Sequence, residues 1–184
     1  MKKIKEYAAP TVVLLVICIV AAFLLAVTNN VTAPKIAEVN AENEAKARLV
    51  VFADAKSFGE ESINADGIKL VPALDESGAT IGYVAVTVQK GYGGDISVMT
   101  GVDLDGKVTG VSILSMSETA GLGANASKDS FLGQFVNKVA GMAVTKNAPA
   151  ENEIKALTGA TITTKAVTAA VEAAIEAAGG ENIG

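Results

Sequence analysis

The sequence predicts an α+β protein in which a transmembrane helix and a helical stalk precede an antiparallel-sheet domain with flanking helices. Three observations carry this. Residues Thr11 to Thr28 form an 18-residue run without a charge, TVVLLVICIVAAFLLAVT. From Gly67 onward, short β-rich segments alternate with turn signals, the pattern of neighbouring hairpins. An alanine-rich stretch near the C-terminus then repeats Val167, Val171 and Ile175 every fourth residue, the period of one helix face.

The apolar run is near the lower length that spans a bilayer as a helix. Lys2, Lys3 and Lys5 precede it, whereas Asn29 to Ala37 holds only Lys35. The excess of lysine before the run places the N-terminus in the cytoplasm and the remaining chain outside. Two other readings of the run are weaker. A cleaved signal peptide would use Val31-Thr32-Ala33 as its small-residue site, but the run is long for an h-region. Leu15-Val16-Ile17-Cys18 has the spacing of a lipobox, but Ile17 is bulky and Cys18 lies in mid-run.

Pro34 to about Val51 reads as a stalk helix. Thr32 is its predicted cap, Pro34 fits its first turn, and Ile36, Val39 and Val50 form a broken apolar stripe. Strands are predicted over Ile68–Val71, Ile81–Gln89, Asp95–Val102 and Lys107–Ser115. Asp75-Glu76-Ser77-Gly78 and Asp105-Gly106 supply turns, the second a strong hairpin signal. Ser127–Ala140 reads as a helix capped by Ser127, with Phe131, Phe135 and Val139 on one face. Glu153–Leu157 reads as a short strand or a turn. Ile162–Ala178 is the C-terminal helix, with Gly179-Gly180 ending it. These elements divide the chain into 1–10, a cytoplasmic N-terminus; 11–28, the span; 29–55, the stalk; and 56–184, an extracytoplasmic domain. No internal repeat is visible.

Composition narrows the chemistry. The 184 residues include no His, no Trp, one Cys and eight Phe or Tyr. Without His the commonest general base and metal ligand are missing, so no catalytic residue and no metal site are expected. Any pocket must be built mainly from aliphatic side chains and backbone. The net charge of −5 argues against a nucleic-acid partner. Setting aside Lys2, Lys3, Lys5 and Glu6 leaves 12 basic and 19 acidic residues, a net −7. Contact with membrane lipid is therefore expected through the apolar span, since the acidic domain has no polybasic patch.

The densest chemical signal is Leu157-Thr158-Gly159-Ala160-Thr161-Ile162-Thr163-Thr164 at the mouth of the C-terminal helix. Such a mouth offers free backbone N–H groups and the positive end of a dipole, which favour a phosphate. The same residues also fit a plain helix start, with Thr158 or Thr161 as N-cap and Gly159 in the preceding turn. Capping and modification are compatible, and the tetrapeptide alone does not separate them.

Thr158-Gly159-Ala160-Thr161 resembles the [Ser/Thr]-Gly-Ala-Thr flavinylation motif of the FMN-binding domains in Rnf and Nqr electron-transport complexes. Two upstream segments resemble the same family in the same order. Gly91-Tyr92-Gly93-Gly94-Asp95-Ile96 is similar to its Gly-Tyr-Gly-Gly-Pro-Ile turn, with Asp95 in place of proline. Met116-Ser117-Glu118-Thr119-Ala120-Gly121-Leu122-Gly123 is similar to His-x-Glu-Thr-Pro-Gly-Leu-Gly, with Met116 for His and Ala120 for Pro. Each segment alone is an ordinary glycine turn or loop; the ordered set, spanning nearly the whole chain, is specific. The nearest resemblance is to the G subunit of Rnf complexes, whose homologue in Na⁺-translocating NADH:quinone reductase is the C subunit.

The resemblance implies FMN joined by a phosphoester to Thr161. Thr158, Gly159, Ala160 and Thr163 would support it at the helix mouth, and Glu118, Thr119, Gly121, Leu122 and Gly123 would form the flavin pocket. It implies a separate flavin transferase that installs FMN from FAD with Mg²⁺ and releases AMP on the outer face. It further implies an electron-carrying subunit, without an autonomous catalytic site, in a complex of a bacterial or archaeal cell membrane. Electrons from ferredoxin would reach NAD⁺ with export of Na⁺ or H⁺, and the other subunits of the complex would be the partners. A tether suits a chain poor in aromatics, because it makes docking of the ring intramolecular. Two further readings stay open: a membrane-anchored sensor or binding module using the same domain, and an extracytoplasmic domain without cofactor.

Overall fold

The computed structural model describes residues 2–181. The chain forms two compact units, one ending at Asn43 and one beginning at Glu44. The first consists of helix α1, Lys2–Val51, up to that boundary. Among the described residues, α1 is the one helix long and apolar enough to cross a membrane. Its large apolar side chains from Val12 to Leu25 are all exposed, as a lipid-facing surface requires. No break separates span from stalk. Thr32 does not cap a new helix: its hydroxyl donates to the carbonyl of Thr28 at 2.9 Å, as that of Thr28 does to Leu24. Residues 29–33 contain no glycine to end the helix, and Pro34 is carried inside it.

In the second unit one antiparallel sheet organises the core. Strands β1 (Ser57–Phe58) and β2 (Ser62–Ile63) both pair with β3 (Lys69–Leu74). From β3 the order continues through β4 (Thr80–Lys90), β5 (Asp95–Asp103) and β6 (Val108–Ser115). The two expected turns form as read. Asp75 accepts hydrogen bonds from the amides of Ser77 and Ala79, and Asp103 from those of Asp105 and Lys107. Gly78 and Gly106 take the positive φ values, 81° and 77°, that close them.

Both faces of the sheet are covered, so β5 is buried almost throughout rather than on alternate residues. Helix α3, Thr161–Glu181, lies on one face, where Val167, Val171 and Ile175 meet Ile96, Val98 and Val102. Thr87, in the middle of β4, donates its hydroxyl to the carbonyl of Ala170, satisfying a buried polar group. Val51 and Phe52 at the end of α1 cover the other face with Val71, Val84 and Met99. Gly179 and Gly180 lie within α3 rather than past it. The packed face of α3 reaches Ala178, one residue before them.

The helix expected over Ser127–Ala140 is broken. Short 3₁₀ turns, Gly123–Ser127 and Gly133–Phe135, flank a single turn of α-helix, α2, Asp129–Leu132. Ser127 bonds back to the carbonyl of Ala124 and caps nothing. Asn137 adopts a positive φ of 63°, and its amide and the carbonyl of Lys138 pair with Val108. That tertiary pairing ends the helical path and leaves Val139 exposed, while Phe131 and Phe135 still meet edge to face in the core at 5.5 Å. A second, two-stranded parallel sheet joins β7 (Ala143–Thr145) and β8 (Glu153–Lys155). Three-residue strands are too short to show a period, which is why β7 leaves no sequence signal.

Candidate functional site

The segment after β6, the β4–β5 loop and the start of α3 converge on an open cavity of about 580 Å³. Its wall is Tyr92, Glu118, Thr119, Leu122, Gly123, Gly159, Ala160, Thr161, Ile162 and Thr163. Eight of the ten residues expected from sequence stand on this wall. Thr158 and Gly121 lie outside it, both exposed. Ile162 gives no functional signal in the sequence, because an isoleucine in an apolar-periodic helix reads as core; it is 55% exposed.

Glu118 holds the site together. Its Oε1 accepts the amides of Tyr92 at 2.8 Å and Gly93 at 3.1 Å, and its Oε2 accepts the Thr163 hydroxyl at 2.7 Å. One carboxylate thus ties the glycine loop, the segment after β6 and the first turn of α3. Glycines make room for it. A Cβ on Gly91 would stand 2.2 Å from Glu118 Oε1, and one on Gly123 would stand 2.4 Å from Oε2 and 2.7 Å from Thr163 Oγ1. The glycines of Gly91–Gly94 therefore admit a neighbouring segment, and two of the loop amides are already engaged by Glu118.

Burial pushes the Glu118 carboxyl up, but the hydrogen bonds from Thr163, Gly93 and Tyr92 together more than offset it and hold the pKa below the usual carboxylate value. A depressed folded-state pKa stabilises the fold above the unfolded value, and this is lost as pH falls through the folded value. Wild type should therefore lose part of its advantage over Glu118→Gln as pH is lowered from about 6 toward about 3, measured as the gap between their urea midpoints. A gap that stays constant across that range would refute this linkage.

The helix mouth is built by the turn Leu157–Ala160, closed by the Ala160 amide on the Leu157 carbonyl, with Gly159 at φ 75°. Thr164, fully buried, accepts the Leu157 amide and donates to the Ala160 carbonyl. The first intrahelical bond runs from the Thr164 amide to Ala160, so the amides of Thr161, Ile162 and Thr163 have no partner in the preceding turn. Neither Thr158 nor Thr161 caps the helix, since Ala160 occupies the N-cap position. The hydroxyls now separate by role. Thr163 is bound to Glu118 and Thr164 to the turn, while Thr158 is off the cavity wall. Thr161 is half-buried on the wall, with its hydroxyl free of hydrogen bonds among the described residues.

The three departures from the family's segments do not reach the cavity wall: Asp95, exposed, opens β5. Met116 packs against the main core, and Ala120 is an exposed loop residue. The wall fits FMN on three counts. Its volume lies in the range of small-molecule sites. It offers unpaired helix-mouth amides to a phosphate, and Tyr92, Leu122 and Ile162 present exposed apolar surface to a ring. Among the described residues no group of acidic or Cys side chains could hold a metal ion.

The site lies within a region that matches a known family. Residues 91–176 match the FMN-binding domain family, and residues 1–51 match the RnfG N-terminal region. The chain is 40% identical over 164 residues to the G subunit of the proton-translocating ferredoxin:NAD⁺ oxidoreductase complex of Clostridium ljungdahlii, covering 89% of this chain and 86% of that one. It is 36% identical over 185 residues to the G subunit of the Na⁺-translocating ferredoxin:NAD⁺ oxidoreductase complex of Acetobacterium woodii, covering 89% and 87%. The G subunit of an ion-translocating oxidoreductase complex of Methanosarcina acetivorans is 35% identical over 181 residues, covering 94% of each. In fold, the chain is similar to the crystal structure of Shewanella oneidensis NqrC, with a TM-score of 0.56 and 20% identity over 72% of this chain and 70% of that one. With a cavity at the mouth of α3 inside an FMN-binding domain, and relatives of one kind matched along most of their length, the chain belongs to the family of G subunits of ion-translocating oxidoreductase (Rnf) complexes.

Proposed function

We propose that this protein is the membrane-anchored electron carrier of an ion-translocating ferredoxin:NAD⁺ oxidoreductase complex, and that it carries FMN through a phosphoester to Thr161 Oγ. The observation that carries the reading is the hydroxyl of Thr161. Of the four threonines at the mouth of α3, it alone is on the cavity wall and free of a hydrogen bond among the described residues. In the attachment, Thr161 Oγ would lose its proton to solvent and form an O–P bond to the FMN phosphorus of FAD, while the pyrophosphate P–O bond breaks and AMP leaves, the step being catalysed by a separate transferase. The amides of Thr161, Ile162 and Thr163 would face that phosphate and offset part of its charge. FMN supplies reversible redox chemistry. The protein's own residues fix its position, with Leu122, Ile162 and Tyr92 as apolar surface for the ring.

The lysines before the span support a cytoplasmic N-terminus, with residues 56–184 on the outer face where the transferase would act. The other subunits of the complex would be its redox partners, and membrane lipid would surround residues 11–28 of α1. A C-type subunit of a Na⁺-translocating NADH:quinone reductase is the weaker alternative. The likeness to NqrC is one of fold at 20% identity, whereas the three G subunits are 40%, 36% and 35% identical along most of their length. Intact mass with peptide mapping of the protein from its native membrane tests the reading. An FMN-sized increment on the peptide containing Thr161 is expected. An unmodified mass, or the increment on another peptide, would overturn it.

A further inference from the structure

The cavity wall is electrostatically one-sided. Glu118 is its only carboxylate, no Lys or Arg stands on it, and no salt bridge reaches Glu118 among the described residues. The three groups that hold Glu118 are neutral donors: two amides and a hydroxyl. They fix the carboxylate in place without cancelling its charge. The same donors could have served a ligand anion, so the fold has filled part of its own anion-binding capacity with a permanent negative charge.

Adding electrons to a flavin ring in this cavity adds negative charge beside that carboxylate. A fixed like charge on the wall beside the ring would disfavour the reduced form through direct Coulomb repulsion. We propose that Glu118 is the positioning and tuning residue that holds the bound flavin's reduction potential lower than a neutral side chain at this place would. This rests on the reading that FMN occupies the cavity. Glu118 acts through its charge and through the loop it fixes; it exchanges no proton or electron itself.

Glutamine separates charge from architecture. In Glu118→Gln the side-chain carbonyl can still accept the Tyr92 and Gly93 amides, and its NH₂ can donate to Thr163 Oγ1, so all three ties survive. Glu118→Ala removes both charge and ties. The full chain would be co-produced with a flavin transferase, and its covalent FMN content read by intact mass. Spectroelectrochemical titration would give the midpoint potential, and flavin fluorescence anisotropy the order of the ring. For the FMN-carrying fraction of Glu118→Gln we expect a midpoint shifted to more positive potential, with anisotropy closer to wild type than that of Glu118→Ala. For Glu118→Ala we expect a positive shift together with lower anisotropy. A Glu118→Gln midpoint equal to or below that of wild type overturns the tuning role while leaving FMN attachment intact. Wild-type protein without FMN would instead overturn the function on which the proposal rests.

Discussion

Thr161→Ala abolishes covalent flavin while leaving the fold intact: this is the expected result, and the local energetics make it a clean test. The Thr161 hydroxyl makes no hydrogen bond among the described residues, so its removal strands no buried partner. Substitutions of that kind usually change stability by less than about 0.5 kcal/mol. Loss of the FMN increment could then not be assigned to unfolding. Thr164→Ala is the opposite case. It breaks the bonds to the Leu157 amide and Ala160 carbonyl, each worth roughly 0.5–1.5 kcal/mol, and leaves the Leu157 amide without its acceptor, while the Ala160 carbonyl keeps the Thr164 amide. It should lower the unfolding temperature yet retain flavin where folded. Thr158→Ala should be silent in both assays, because Thr158 is off the wall. The measurements are intact mass after co-production with a flavin transferase and thermal unfolding by circular dichroism. Covalent FMN on Thr161→Ala protein would show that another hydroxyl is the acceptor.

Gly110→Ala and Gly101→Ala should each destabilise the domain by about 1–3 kcal/mol, the usual range for overpacking a filled core. The two glycines face each other across β5 and β6, and the end of α1 sits on them. A Cβ on Gly101 would stand 2.4 Å from the Val51 carbonyl oxygen, and one on Gly110 would stand 2.8 Å from Val51 Cα. Both contacts are with backbone, which cannot swing aside. Thr109 fixes the seat further by donating its hydroxyl to the Val51 carbonyl at 2.6 Å. Arg48, Glu44, Glu61 and Lys69 form an ion-pair network beside it, but half-exposed pairs contribute about 0–1 kcal/mol each. Thermal unfolding should fall by roughly 3–15 °C, at a few degrees per kcal/mol. Gly133→Ala is the control. Its φ of −61° suits any residue and nothing lies within 4 Å of the added carbon, so it should be neutral or slightly stabilising. Equal melting temperatures for all three variants would show that Val51 is not seated as described.

Much of this architecture is legible from local pattern. The uncharged run, the four long strands with their Asp-Gly turns and the Ala-rich α3 are each signalled by periodicity and turn chemistry that act over a few residues. The elements without such a signal have nonlocal causes. The path from Ser127 to Ala140 has the spacing of a helix, but Val108 captures the backbone of Asn137 and Lys138, and Phe131 and Phe135 reach the core from short turns. β7 exists because β8 lies beside it. Gly101 and Gly110 are unremarkable in their strands until Val51 is placed above them.

The site divides along the same line. The residue types of the helix mouth and the Glu-Thr loop, and their resemblance to a flavin-carrying family, follow from the amino-acid sequence by itself, because unpaired amides at a helix start are a local property. Which hydroxyl is free was decided only by tertiary structure. By residue type alone four threonines near one helix mouth have equal claims, and in the sequence only the resemblance to the family motif singles out Thr161. Glu118, 45 residues before Thr163, takes one of them, the turn Leu157–Ala160 takes Thr164, and the cavity's outline leaves Thr158 outside. Thr161 is distinguished by the hydrogen bonds its neighbours make, and those exist only once β6, the glycine loop and α3 are brought together.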